Sequence, residues 1–373
     1  MKNSDCFLIN LGDKIMNMQI LTNRCIVGLF IFFVSVNIKL SEAKVVPGTV
    51  SPTQSTQEDK QLKQHFDKKL IDTKTKVNLT LGTASESGVF YPVGRGISQM
   101  INKRKLAYGL RFITYSTSGS MYNIQAIRNG ELDFAISRYD LAYEAYRGIG
   151  NFKNQEPLTG LRYIATLYPM PIGVLVHKKS DAMHLKDLTG KRINIGNPGS
   201  GKRSVANMLF KAMKWKNSDF ERVTGLATRE MGNIFCSGGI DVIIELLGMP
   251  ASFYDRITHK CMGRFIPIPS DIVLSVQREN PFIQHADILG GTYPHNPNTI
   301  ETFQIGAILL SSRRLSGDVV YRVCQTIFDN IDEFKKIHPA LLMFNLNNVK
   351  KDQTYIPYHN GAIKYYLKQG LTM

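Results

Sequence analysis

The stretch NIGNPGSGKRS, residues 194–204, carries glycines, a lysine and an arginine at nearly the spacing of a phosphate-cradling loop. From Gly196 it reads G-x-x-x-x-G-K through Gly201 and Lys202, but Arg203 stands where that loop needs a hydroxyl to hold Mg²⁺, and Ser204 comes one residue late. KRINI before it reads as a strand and SVANMLFKAM after it as an amphipathic helix. A strand, a glycine turn and a helix start make an anion site of some kind, because the first amides of a helix lack intrahelical partners and its dipole favours negative charge there. Hydrolytic chemistry has little support: no G-x-S-x-G elbow occurs, and the eight histidines show no H-E-x-x-H spacing. His295 and His359, in proline- or glycine-rich surroundings, read as exposed polar residues.

The elements that would position such a loop follow from periodicity. VNLTLG alternates like a strand, TASESG is a small-residue loop, and FYPVGRGISQMINKR is a helix whose Pro92 suits a first turn. The same unit returns as GLRFITYS, STSGS and MYNIQAIRN, with Met121, Ile124 and Ile127 on one face and Gly130 as the stop. It returns again as LDFAIS, Arg138 and the helix DLAYEAYR. LRYIATLYPMPIGVLVHKK is an extended run broken by Pro169 and Pro171, after which KRINI, IDVIIELLG and RFIPIP each lead into a helix. QIGAILLSS reads as a late strand, and GDVVYRVCQTIFDNIDEFKK as one long helix with Val320, Val323, Ile327, Ile331 and Phe334 on its core face. Repeated strand–loop–helix units predict an α/β fold of two lobes, each a mostly parallel sheet flanked by helices, with ligand loops beyond the strand ends facing a cleft.

At 373 residues and 43% hydrophobic, the chain has material for about two well-buried domains. Its formal charge of +16 sets the sign of its field, but no basic run interleaved with aromatics marks a nucleic-acid partner. CIVGLFIFFVSV, residues 25–36, follows Arg24 and precedes Ser41–Ala43, the three parts of a secretory signal with cleavage expected after Ala43. At 12 residues the run is short for an uncleaved spanning anchor, the alternative reading. Residues 1–43 remove four basic and three acidic side chains, so the body keeps +15, and residues 44–76 read as a polar tether. The body's cysteines, Cys236, Cys261 and Cys324, leave two readings open: one bridge, Cys236 to Cys261, or buried free thiols.

In order along the chain, GTASESGVFYPVG, YSTSGSMYNIQAIRNGELDFAISRYDLAYEAYRG, LYPMP, DLTGKRINIGNPGSG, GGIDVIIELLGMP, GGTYP and HNGAIKYY resemble the blocks of the TAXI group of solute-binding receptors, which serve tripartite ATP-independent periplasmic (TRAP) transporters. The resemblance runs from about residue 77 to residue 370. It implies a two-lobed periplasmic binding fold, type II-like, with a first lobe over residues 77–175, a second over 176–291 and a return to the first over 292–373. It implies a monomeric periplasmic receptor without cofactor or metal, which binds a small organic anion such as glutamate or a dicarboxylate and delivers it to a membrane permease. On this reading the glycine loop is a carboxylate cradle.

Candidate ligand-binding residues are Ser87, Gly88 and Val89 in the first loop, Ser118, Gly119 and Ser120 in the second, and Gly199, Ser200 and Gly201 in the third. As plain turns these would want the same residue types. Tyr91 and Tyr168 are candidates to stack on or hydrogen-bond the ligand, against ordinary half-buried packing, and Met249 with Pro250 to wall the cleft, against an ordinary helix start. Micromolar binding requires about 8 kcal/mol, and a helix end supplies only about 0.3–2, so Arg138 and Lys202 are the candidate cations. TAXI receptors usually carry small or hydroxyl residues at those two positions and glycine or threonine near Glu86. The pair therefore binds two carboxylates, neutralises Glu86, or stands as rim charge in water. The competing function is a secreted binding protein acting as a sensor or scavenger without a transporter, which would use the same cleft chemistry.

Overall fold

The computed structural model describes residues 77–86, 88–197, 200–346 and 355–372; the signal-like and tether segments, with Ser87, Pro198 and Gly199, lie outside the described residues. The first units are β1 (Val77–Gly82), α1 (Phe90–Lys103), a short α2 (Lys105–Tyr108), β2 (Leu110–Tyr115), α3 (Ser120–Asn129), β3 (Phe134–Arg138) and α4 (Tyr139–Arg147). A long strand β4 (Leu161–Val176) leads to β5 (Arg192–Asn194), α5 (Gly201–Met213), β6 (Arg222–Thr224), α6 (Thr228–Cys236), β7 (Val242–Leu246) and α7 (Ser252–Cys261). Then come β8 (Arg264–Ile266), α8 (Ser270–Glu279), β9 (Gln284–Ile288), β10 (Ile300–Ser312), α9 (Gly317–Phe328), α10 (Ile331–Lys335) and α11 (Asn360–Lys368).

The strands follow the path β2-β1-β3-β10-β4-β7-β5-β6, with β8 on β4 and β9 on β10. β2, β1 and β3 are parallel, as are β7, β5 and β6, and the long strands β4 and β10 run antiparallel between these groups. β4 pairs with β10 up to Pro171 and with β7 and β8 from Ile172 onward. β10 pairs with β9 over Ile300–Gln304 and with β3 over Ala307–Ser311. Two lobes result, joined by strands that exchange partners midway. The central strands β3 and β7 are buried at every residue, which is why LDFAIS and VIIEL are near-continuous apolar runs. Val93, Ile97, Met100 and Ile101 of α1, and Ile124 and Ile127 of α3, close over the first group; each such side chain contributes about 1.5–3 kcal/mol.

Three local readings change and one open choice is decided. Pro169 and Pro171 do not break the extended run: β4 is continuous, because at these residues it has β10 on one side and has not yet met β7 on the other, so the missing N–H groups interrupt no ladder on that side. The long late helix is two helices: Asn330 Nδ2 donates to the Thr326 carbonyl at 2.9 Å, the acceptor a continuing helix would use, and its Oδ1 accepts from Arg104 Nη2 at 2.7 Å. Val320, Val323, Ile327 and Phe334 are nonetheless buried, and Ile331 partly so. His359 is buried rather than exposed, because it caps α11: its Nδ1 accepts from the Gly361 amide at 3.1 Å while Nε2 meets the Leu315 carbonyl at 3.1 Å. Of the two cysteine readings, the bridge holds: Cys236 and Cys261 form a disulfide between the C-terminal ends of α6 and α7, and Cys324 is a buried free thiol. No described helix is long and apolar enough to cross a membrane.

Candidate functional site

Six helices begin, among the described residues, at one cavity of about 960 Å³ between the lobes: α1 at Val89–Phe90, α3 at Gly119–Ser120, α4 behind Arg138, α5 at Ser200–Gly201, α6 at Ala227–Thr228 and α7 at Ser252. They converge because each parallel strand hands the chain to its helix at the carboxyl edge, and both lobes turn that edge toward the other. No side chain caps α1 or α3, and α1, α3 and α5 have no acidic residue in their first turn. Their first amides therefore present partial positive charge to the cavity.

Hydrogen bonds hold the first-lobe loops rigidly. Asn123 Nδ2 donates to the carbonyls of Thr83 at 2.7 Å and Ile136 at 2.8 Å, tying the ends of β1 and β3 to α3. Thr117 Oγ1 reaches the Thr83 carbonyl at 2.8 Å and accepts from the Gly119 amide at 3.1 Å. Gly119 has φ +101°, a conformation few other residues adopt, so the turn into α3 depends on it. Ser120 Oγ accepts from the Arg138 amide at 3.0 Å, linking the second and third loops. In the second lobe, buried Asn194 accepts from the Leu226 amide at 2.7 Å, which sets the approach to α6, and Ser200 caps α5 by accepting from the Arg203 amide at 3.3 Å.

Neither candidate cation is rim charge in water. Arg138 is buried, and its Nε donates to Asp140 Oδ1 at 2.9 Å while Nη2 pairs with Oδ2. The remaining nitrogen, Nη1, lies against Gly201 at the start of α5, so close that a Cβ there would overlap it. Lys202 folds its stem over Gly196 and places Nζ 2.9 Å from Glu245 Oε2, with Thr228 Oγ1 donating to the same oxygen at 2.8 Å. That departs from a phosphate cradle, in which the lysine would extend toward the loop's anion. Arg203 is also turned inward, its Nε donating to the Gly196 carbonyl at 2.8 Å. Glu86 is exposed at the cavity wall and makes no ion pair among the described residues. Arg256, also exposed, sits over the Phe253 ring at 5.8 Å.

Tyr168 is 2% exposed and lines the cavity, and its hydroxyl meets no hydrogen-bond partner among the described residues. Burial pushes that phenol far above its ordinary range, so it is a proton donor at any working pH. Its ring packs edge-on to Phe90 at 6.4 Å and against Gly248, where a Cβ would come within 2.6 Å of Cε2.

Of the candidate residues, Gly88, Val89, Ser118, Gly119, Ser120, Arg138, Tyr168, Ser200, Gly201 and Lys202 line this cavity. Tyr91 and Met249 do not: Tyr91 is on α1 but outside the lining, and Met249 packs against the smaller core under α6 and α7. Ser87 and Gly199 lie outside the described residues. Sequence reasoning passed over Asp140, Thr228, Glu245 and Arg256. Glu245 carried one local signal, a lone carboxylate inside the apolar run VIIEL. Among the described residues no group of His, Cys, Asp and Glu is placed to hold a metal ion. A second cavity of about 440 Å³, between α4, α5 and α8, shares only Ser200 with the first and gathers no other helix start.

The malate-bound MatC of Rhodopseudomonas palustris is 14% identical, with 71% of this chain and 89% of that chain covered and a TM-score of 0.48. The aliphatic sulphonate-binding protein SsuA of Escherichia coli is 13% identical, with 79% of each chain covered and a TM-score of 0.43. A protein of Bordetella bronchiseptica is 14% identical, with 79% of this chain and 99% of that chain covered and a TM-score of 0.44. At TM-scores this low these likenesses carry no argument about fold or ligand. The model of the NMT1-like family, by contrast, matches residues 81–370, more than three quarters of the sequence, and the chain belongs to the NMT1-like family.

Proposed function

We propose that the protein is an extracytoplasmic solute receptor whose lobes trap a small organic anion and deliver it to a TRAP-type membrane permease. The observation that carries this reading is Arg138 Nη1 facing the start of α5. A guanidinium edge and the positive end of a helix repel each other where the lobes meet; an anion beside them, touching both, turns that repulsion into two attractions. Binding then favours the approach of the lobes, because the ligand contacts both walls only when they are near. Hydrogen bonds to a charged group contribute about 1.5–3 kcal/mol each, so Arg138, the Tyr168 hydroxyl and two or three helix starts together reach the micromolar range. No bond in the solute is made or broken.

The resemblance to TAXI receptors puts glutamate and dicarboxylates first among candidate ligands and supplies the permease as partner; the signal-like segment before Ala43 supports a periplasmic location. The proposed lobes are residues 77–175, 176–291 and 292–373; β4 changes partners between Pro171 and Ile172, and β10 between Gln304 and Ala307. A thermal-shift panel of carboxylates, acidic amino acids and magnesium nucleotides tests the reading: carboxylates should raise the melting temperature and nucleotides should not. A panel in which no organic anion stabilises the protein sinks it. Reconstitution with a multi-spanning permease separates transport from a sensor role.

A further inference from the structure

We infer that the cleft accepts a solute with one acid group on an apolar body, and that Glu245 sets this specificity by neutralising Lys202. The inference rests on the anion-binding reading above and puts monoacids ahead of the glutamate and dicarboxylates that the family resemblance favours.

Two cations reach the buried wall, and the chain neutralises both. Lys202 and Glu245 have side chains only 11% and 4% exposed, 2.9 Å apart. Thr228 donates to Glu245 Oε2 at 2.8 Å and accepts from Lys202 Nζ, and the Leu246 amide reaches Glu245 Oε1 at 3.1 Å. Lys202 cannot turn to a ligand carboxylate without leaving Glu245 buried and unpaired, which is strongly unfavourable. Arg138 commits Nε and Nη2 to Asp140, leaving one edge, Nη1, at Gly201. That edge, with the starts of α3 and α5, makes a place for one acid group. Tyr168 lines the same cavity, and its buried hydroxyl, which meets no hydrogen-bond partner among the described residues, is the further donor assigned to that acid group.

A second carboxylate has nowhere comparable to go. Near Lys202 it meets the carboxylate of Glu245 in a poorly solvated wall, where like charges repel far more than in water. Glu86 and Arg256, of opposite charge, are also in the lining, and both are exposed, so water screens them. The rest of the wall pairs small hydroxyl residues at the helix starts, Ser118, Ser120 and Ser252 among them, with an apolar set made by Phe90, Met121, Leu141, Met170, Leu247 and Phe253. The apolar set suits hydrocarbon, and the hydroxyls bring no cation to a second charge.

Matched acids test this by calorimetry on the full chain: pentanoate against glutarate, hexanoate against adipate, with glutamate alongside. The monoacid of each pair should bind about tenfold or more tighter than its dicarboxylate. Glu245→Gln releases the Lys202 charge and should shift that ratio toward the dicarboxylate by about tenfold; the double variant Glu245→Gln with Lys202→Met should restore the monoacid preference. A structural role alone would weaken both members of a pair equally and leave the ratio unmoved. Wild-type binding of glutarate, adipate or glutamate as tight as the monoacids overturns the inference while leaving the receptor reading intact. An unchanged ratio in a cooperatively melting Glu245→Gln also overturns it, with the double variant serving if the single one does not fold. Absence of binding by every acid in the set removes both readings.

Discussion

Arg138 and Gly201, one at the end of β3 and the other at the start of α5, meet across the cleft with no room for a Cβ between them. The contact joins a first-lobe cation to a second-lobe helix dipole, two positive ends that an anion touching both would reconcile. Gly201→Val should therefore weaken binding of any stabilising anion by about tenfold or more, since the added carbons push Nη1 from its place. Calorimetry reads this directly. An unchanged Kd would put the acid group elsewhere.

Lys202 serves the wall before it serves the ligand. Lys202→Ala leaves Glu245 buried without its cation and should lower stability by about 3–5 kcal/mol in urea unfolding, as well as weakening anion binding about tenfold. Lys202→Met with Glu245→Leu should recover most of that stability, because an apolar pair carries no stranded charge. A double variant as unstable as the single one would contradict this account.

Tyr168 separates binding from folding. Its hydroxyl is buried without a partner among the described residues, so Tyr168→Phe should leave the unliganded protein as stable or up to about 1–3 kcal/mol more stable. The same change should weaken ligand binding by about tenfold, the value of one hydrogen bond to an anion. A variant with lower stability and intact affinity would mean that the phenol has a partner inside the fold.

The Cys236–Cys261 bridge closes a loop with a sequence separation of 25 residues and ties together the far ends of the two helices whose starts form the α6–α7 side of the cleft. Replacing both cysteines by serine should remove about 3 kcal/mol of stability. Reductant should lower the melting temperature of the wild type and leave that of the double variant unchanged. Equal sensitivity of the two proteins to reductant would rule the bridge out as the cause.

Stability should also fall in mild acid. Burial holds His359 below the ordinary imidazole value of 6.5, and burial likewise lowers His177 and His338. Their folded values are depressed, so as pH falls the unfolded chain takes up protons first. The contribution is full above 6.5 and is lost as pH drops through the lowered folded values. Urea midpoints measured from neutral pH down to about pH 5 should decline, and His359→Asn, which keeps a capping acceptor beside Gly361, should decline less steeply. Parallel profiles for the two proteins would remove His359 as a contributor.

The repeated strand–loop–helix units were legible because each carries its own periodicity: Leu79 and Leu81 alternate in β1, and Val93, Ile97 and Ile101 recur at helical spacing in α1. Short elements without such a pattern were not. β6 has three residues, and none of its side chains is fully buried. β9 alternates weakly because most of it is exposed. The split after Phe328 escaped notice because Asn330 ends the helix through a side-chain bond that the apolar spacing of Ile327 and Ile331 runs straight across.

The candidate site divides the same way. Glycine and serine at the three loops, and the helix starts behind them, are local properties, and the sequence by itself determined that helix-start amides lie there. It also determined the α/β architecture, since backbone hydrogen bonding and alternate-residue burial act over a few residues at a time. Only the tertiary structure decided what the cations do. Lys202 and Glu245 are 43 residues apart, and their union depends on α5 and β7 packing in one lobe. Arg138 meets Gly201 only because two lobes, built from separate stretches of chain, turn the ends of their strands toward each other. Charge acts through space and not along the chain, so the number of lysines and arginines set the sign of the field while the fold chose which of them an incoming anion can feel.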